Sequence, residues 1–314
     1  MARLKNSCYR EYAVHIPDGF LATPVWLGFD ALSLPAVAFA ARRAQRQIES
    51  ARVPLLGVLG AFVFAAQMIN FPVGVGTSSH LLGSALLVIT LGPAAAAVVM
   101  TAILALQALV FQDGGVLALG ANVFNMALVG VLAAWLPYRL WGGRFPRVAV
   151  VLAGAASVLA GAAMAIADLL LSGISIPRAV LGLSLGLFLV TAVIEGAITL
   201  AAVAAIARLS PRLVPEPGPV RRWALPAIGA AAVLLAAFGV LVASVAPDGL
   251  EKLAERIGLS SRAVNLIPAP LANYRAAFLG SPWPAQAAAG LAGVALIAGL
   301  CVLLGRAAVR RRRA

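Results

Sequence analysis

Hydrophobic residues along this chain run in blocks and do not alternate with polar ones. Apolar stretches near the ~20 residues needed to cross a bilayer occupy 26–42, 53–70, 78–92, 94–111, 121–140, 147–171, 178–207, 223–245 and 284–305. The third and fourth are divided only by "TLGPAA", where Pro93 cannot continue a helix begun before it. A segment in lipid must satisfy its own backbone, so blocks of this length predict helices. The expected fold is therefore an all-α polytopic membrane protein of about nine transmembrane helices. No repeat of about 20–50 residues runs through it.

Around 209–222, "LSPRLVPEPGPVRR" is proline-rich, charged and without helical period, as a linker is. It separates a seven-helix module, 14–208, from a two-helix module, 223–314. Between the last two blocks, about 246–283, "APDGLEKLAERIG" predicts a short amphipathic helix with Asp248 as its N-cap.

Composition supports the membrane reading. The chain is 62% hydrophobic and only 11% charged, where soluble domains are nearer half apolar and a quarter charged. A net charge of +13 raises nucleic acid as a partner, but the distribution excludes it. Positive residues gather in the joints between apolar blocks, as a cytoplasmic-side bias requires. One side carries Arg42, Arg43, Arg46 and Arg52; Arg139, Arg144 and Arg147; Arg208, Arg212, Arg221 and Arg222; and the tail from Arg306 to Arg313. The other side has Arg178, Lys252, Arg256, Arg262 and Arg275, with Arg3, Lys5 and Arg10 in the first residues. The expected orientation puts the amino terminus outside and the carboxyl terminus in the cytoplasm of a prokaryotic inner membrane. Cys8 and Cys301 lie at opposite ends of the chain and give no disulfide framework. The first 13 residues lack the apolar core of a signal peptide.

The chain has only two histidines, and this orientation places both on the outer side. His15 stands in "AVHIPDGFL", before a Pro-Asp-Gly turn. His80 stands in "FPVGVGTSSHLLG", a glycine-rich stretch whose non-helical backbone, at membrane depth, lines a protected cavity. A third loop, "FQDGGVLALGANVFNM", brings Asp113, Asn122 and Asn125 to the same face. Three such loops converging on one mouth suggest a site. A membrane histidine that only hydrogen-bonds within the bundle is the competing reading.

"HIPDGFL", "QMINFPVGVGTSSHLLG" and "QALVFQDGGVLALGANVFNM", in that order, resemble the substrate-binding membrane component of nickel and cobalt energy-coupling-factor transporters, the CbiM/NikM family. "APDGLE" resembles the small two-helix companion subunit of those systems, here fused into one chain. The resemblance covers about residues 14–306. It implies that Ni²⁺ or Co²⁺ is the transported substrate. It also implies a separate transmembrane coupling subunit and cytoplasmic ATPases as partners, with lipid around the bundle. In the family the mature chain begins Met-His. Its terminal amine, the next backbone nitrogen, the imidazole Nδ1 and a distal histidine hold the metal in a plane. The first histidine matches His15 and the distal one His80. Amine, amide and imidazole close fused chelate rings, and an all-nitrogen square-planar set selects Ni(II) or Cu(II). "GTSSHLLG" is closer to the nickel-type version.

The sequence departs from that pattern at one place. His15 follows Val14, with thirteen residues before it, so Val14 offers an amide where the family offers an amine. A GTG codon is valine internally but initiates as methionine. Val14 is thus the expected functional start, its amino nitrogen a ligand, and residues 1–13 an upstream extension.

Other polar groups have more than one reading. Asp18 caps the turn or supports His15 from behind. Gln67, Asn70, Asn122 and Asn125 suit tying loops together better than binding metal. Asp168 and Glu195 lie in apolar segments, where ionisable groups are costly. Each is either a structural hydrogen-bonding group, a coupling group, or part of a proton-coupled secondary metal carrier. An enzyme is not expected. No G-x-x-x-x-G-K-[ST] run exists for nucleotide, and neither histidine sits in H-E-x-x-H.

Overall fold

The computed structural model describes residues 15–210 and 223–313. Val14, the extension before it, most of the proline-rich joint and its Arg212, Arg221 and Arg222 lie outside the described residues.

The apolar blocks form helices, as their length and hydropathy require. They are α1 (Thr23–Gln47), α2 (Val53–Gln67), α3 (Ser84–Leu91), α4 (Pro93–Leu106), α5 (Leu119–Asn122), α6 (Gly130–Trp141), α7 (Pro146–Leu171), α8 (Arg178–Leu209), α9 (Ala224–Phe238), α10 (Gly249–Arg256) and α11 (Pro282–Arg313). Two π-helical stretches interrupt the regular geometry. Gln107–Phe111 extends α4, and Val123–Val129 joins α5 to α6. Among the described residues, eight helical spans are long and apolar enough to cross a membrane.

The third block, expected as a membrane helix over 78–92, is not one of them. Its beginning belongs to a two-stranded antiparallel hairpin, β1 (Phe71–Gly74) and β2 (Thr77–Ser79). Residues 80–83 are then irregular and only eight residues form α3. Gly83, with φ +78°, permits the change of direction, and a side chain there would collide with Val63. The segment nevertheless runs beside α2 from end to end. Leu82 meets Gln67 at the carboxyl end of α2, while the Thr90 carbonyl accepts from Arg52 just before its start. An apolar sequence alone does not say whether its backbone bonds to itself or to neighbouring side chains.

Where lipid is as apolar as the protein, close helix contact depends on small residues. α7 and α8 meet at Gly154 and Gly196, where a Cβ on Gly154 would stand 2.8 Å from the Gly196 Cα. The two modules pack together as well: α11 lies on α2, with Gly57 against the Ala298 backbone. Phe64, Phe111, Leu86, Leu87 and Met100 are fully buried in the common core.

The long connection between α9 and α11 in the second module folds back over the first. Asp248 caps α10 as its sequence predicts, its carboxylate accepting from the Glu251 N–H at 2.8 Å. The Ser78 N–H donates to the Pro247 carbonyl at 2.8 Å and its hydroxyl to the Ala246 carbonyl at 2.6 Å, attaching this connection to β2.

Candidate metal centre

Residues 15–22 precede α1 without helical structure, so their backbone needs partners elsewhere. Asn122 supplies them. Its Oδ1 accepts from the Ile16 N–H at 2.8 Å and its Nδ2 donates to the Ile16 carbonyl at 3.0 Å. Asp18 holds the facing loop in turn. Its carboxylate accepts from the N–H groups of Val116, Leu117 and Ala118. Gly114 takes φ +91°, and a Cβ there would stand 3.0 Å from that of His15. The glycines of "FQDGG" thus let the loop close against the histidine.

His15 and His80 come together. Both are buried, and their rings lie 5.9 Å apart between centroids, tilted by 21°. His15 Nδ1 lies 2.8 Å from Asp113 Oδ1, while its Nε2 is buried with no hydrogen-bond partner. His80 donates from Nδ1 to the Leu81 carbonyl at 2.9 Å, which leaves Nε2 as the ring atom with a lone pair. Burial, then the adjacent His15, pushes the His80 pKa down to about 4. A neutral imidazole is the form that binds metal. Burial alone would raise the Asp113 carboxyl, but the His15 charge and hydrogen bonds from His15 and Tyr274 outweigh it and hold it below the usual range.

The second module completes the enclosure. Tyr274, from its connection between α9 and α11, donates its hydroxyl to the second oxygen of Asp113. Leu250 and Ala254 of α10 share a small cavity with His15 and Phe20. Asp248 is buried, with Oδ2 lacking a partner, and burial holds its carboxyl well above the ordinary range. A cavity of about 390 Å³ lies elsewhere, among Arg52, Thr90, Trp135 and Tyr138. It touches neither histidine, and the chemistry is not there.

The other candidates separate. Asp113 bonds His15 directly, while Asn122 holds the Ile16 backbone next to it and Asp18 the facing loop. Asn125 does not: it donates to Asp168 at 2.7 Å. Asn70 accepts from the Ser244 N–H through its backbone carbonyl. Glu195 finds its partners in the N–H groups of Leu82 and Gly83, at 2.8 and 2.9 Å. Among the described residues, no group of three or more His, Cys, Asp and Glu side chains is arranged to hold a metal. The His15 ring also presents Nδ1 to Asp113, whereas the chelate that the sequence resemblance implies uses that nitrogen for metal. Tyr274 carries no sequence signal of its own, since it joins the site only when the two modules pack.

Fold and site together define a polytopic helical membrane protein that buries two histidines at one end, enclosed by a second module. Residues 15–213 match CbiM, the cobalt uptake substrate-specific transmembrane region. The chain is 30% identical to the fused nickel transport protein NikMN of Rhodobacter capsulatus, covering 95% of this chain and 99% of that one. A counterpart of the same NikMN name in Archaeoglobus fulgidus is 34% identical, over 93% and 98% of the two chains. A crystal structure of a transition metal transporter superposes with a TM-score of 0.55 at 30% identity, covering 62% of this chain and 92% of the other. The chain belongs to the CbiM family, in the fused form that carries a second module.

Proposed function

We propose that this protein captures Ni(II), with Co(II) as the other candidate, on the outer side of the membrane, as the substrate-binding component of an ATP-driven energy-coupling-factor importer. The observation that carries the reading is the meeting of His15 and His80, the chain's two histidines, in a buried position where two modules join. His80 offers Nε2 with its ring already oriented by Leu81. His15 offers a ring nitrogen, and the main chain before it supplies the remaining nitrogens once the chain starts at residue 14. The arginine-rich ends of the helices face the cytoplasm, where the coupling subunit and the ATPases work. Sequence supports that division, since the chain offers no nucleotide loop.

Metal binding by the purified full chain tests the reading. His80→Ala is expected to remove bound Ni(II) while the protein still inserts and melts cooperatively. Stoichiometric Ni(II) on folded His80→Ala would overturn the assignment.

A further inference from the structure

Extended backbone inside a membrane bundle has no helix to satisfy its N–H groups, and each one left bare costs several kcal/mol. Residues 80–83 are in that position, and Glu195 is the acceptor for the N–H groups of Leu82 and Gly83. This carboxylate is fully buried in α8. Its Oε2 accepts from the Leu82 N–H at 2.8 Å and its Oε1 from the Gly83 N–H at 2.9 Å.

The two peptide groups it holds are the ones that matter for His80. The peptide between Leu81 and Leu82 donates its N–H to Glu195, and its carbonyl accepts the His80 Nδ1 proton at 2.9 Å. The next peptide donates its N–H to Glu195, and its carbonyl, that of Leu82, accepts from Gln67 at 2.8 Å. Because each peptide is planar, fixing the N–H side fixes the carbonyl side. Only a carboxylate offers two acceptors to two successive N–H groups; a glutamine would oppose one of them with its own NH₂.

The same hydrogen bonding continues to the other histidine. Gln107, in the π-helical turn after α4, donates to Gln67 Oε1 at 3.0 Å and contacts the Tyr274 hydroxyl at 3.2 Å. Tyr274 donates to Asp113, which is paired with His15. π-helical turns are often found at functional sites, and here one places Gln107 between the two halves of the path.

We infer that Glu195 is a positioning residue for His80, and that the hydrogen-bonded path from Glu195 through Gln67, Gln107 and Tyr274 to Asp113 sets the placement of both histidines. The inference rests on the reading that His15 and His80 hold the metal. Neighbours of this kind change metal affinity by about 10–100-fold when removed. Ni(II) titration of the full chain, with a thermal melt of each variant, tests it. Glu195→Gln is expected to weaken Ni(II) binding about tenfold and Glu195→Ala about 100-fold. Tyr274→Phe, which removes one hydroxyl from the far end, is expected to weaken it about tenfold. Because both lie on one path, the Glu195→Gln and Tyr274→Phe losses together are expected to fall short of their product.

Glu195→Gln that melts like the parent and binds Ni(II) within about twofold of it overturns the inference. If Glu195→Gln does not fold, Tyr274→Phe decides by the same criterion. His80→Ala is the control in the same titration: if it keeps stoichiometric Ni(II), the metal-site reading itself fails.

Discussion

The hydroxyl of Tyr274 donates to the carboxylate of Asp113, joining the α9–α11 connection of the second module to the site of the first. Asp113 holds His15 with its other oxygen at 2.8 Å. One carboxylate therefore orders a histidine and fastens two modules.

Asp113→Asn separates these roles. An amide can still accept from one donor, but it brings no charge to hold His15 and turns an NH₂ toward one of its partners. Loss of the charge-assisted bond is expected to destabilise the protein by about 1–3 kcal/mol. Ni(II) affinity is expected to fall about 10–100-fold, as read by calorimetric titration beside a melting curve. Parent-like values in both would show that Asp113 does not order His15.

The amino terminus gives a second prediction. A free α-amine titrates near about 8, and an amine–amide–imidazole chelate tolerates no residue before it. A form of the protein that begins Met-His at position 15 is expected to bind Ni(II) more than about tenfold, or about 1.4 kcal/mol, tighter than one that begins at Met1. Intact mass must show that neither is trimmed. Equal affinities would mean that the amine is not a ligand.

Asp248 gives a prediction with a definite sign in pH. Burial holds its folded carboxyl well above the ordinary range, against the pull of the Glu251 N–H. A group raised on folding contributes stability that is present below its unfolded value and lost as pH rises through its folded one. Asp248→Asn keeps a good N-cap and removes the charge. The melting temperature of the variant relative to the parent is expected to rise steadily from acidic to alkaline pH. A difference independent of pH would contradict it. Asp248→Ala, which also loses the cap, is expected to lie about 1 kcal/mol below Asp248→Asn at every pH.

Much of this protein is legible in its sequence. The length of the apolar blocks dictates membrane helices because lipid leaves the backbone no other partner. The proline at 93 marks a true helix start, and "APDGLE" places a capped helix where one is found. Both histidines and the three glycine-bearing loops around them are visible as an unusual grouping of polar residues. Tertiary structure alone decided how the third block folds. Its residues are as apolar as a helix, yet 80–83 are irregular, and a carboxylate far along the chain accepts from the N–H groups of Leu82 and Gly83. It alone decided that Asn125 serves Asp168 and not His15, and that Tyr274 belongs to the site. Hydropathy and motif order report what each segment buries; which distant partner answers a buried hydrogen-bonding group depends on helix packing, and no local pattern of residues encodes that.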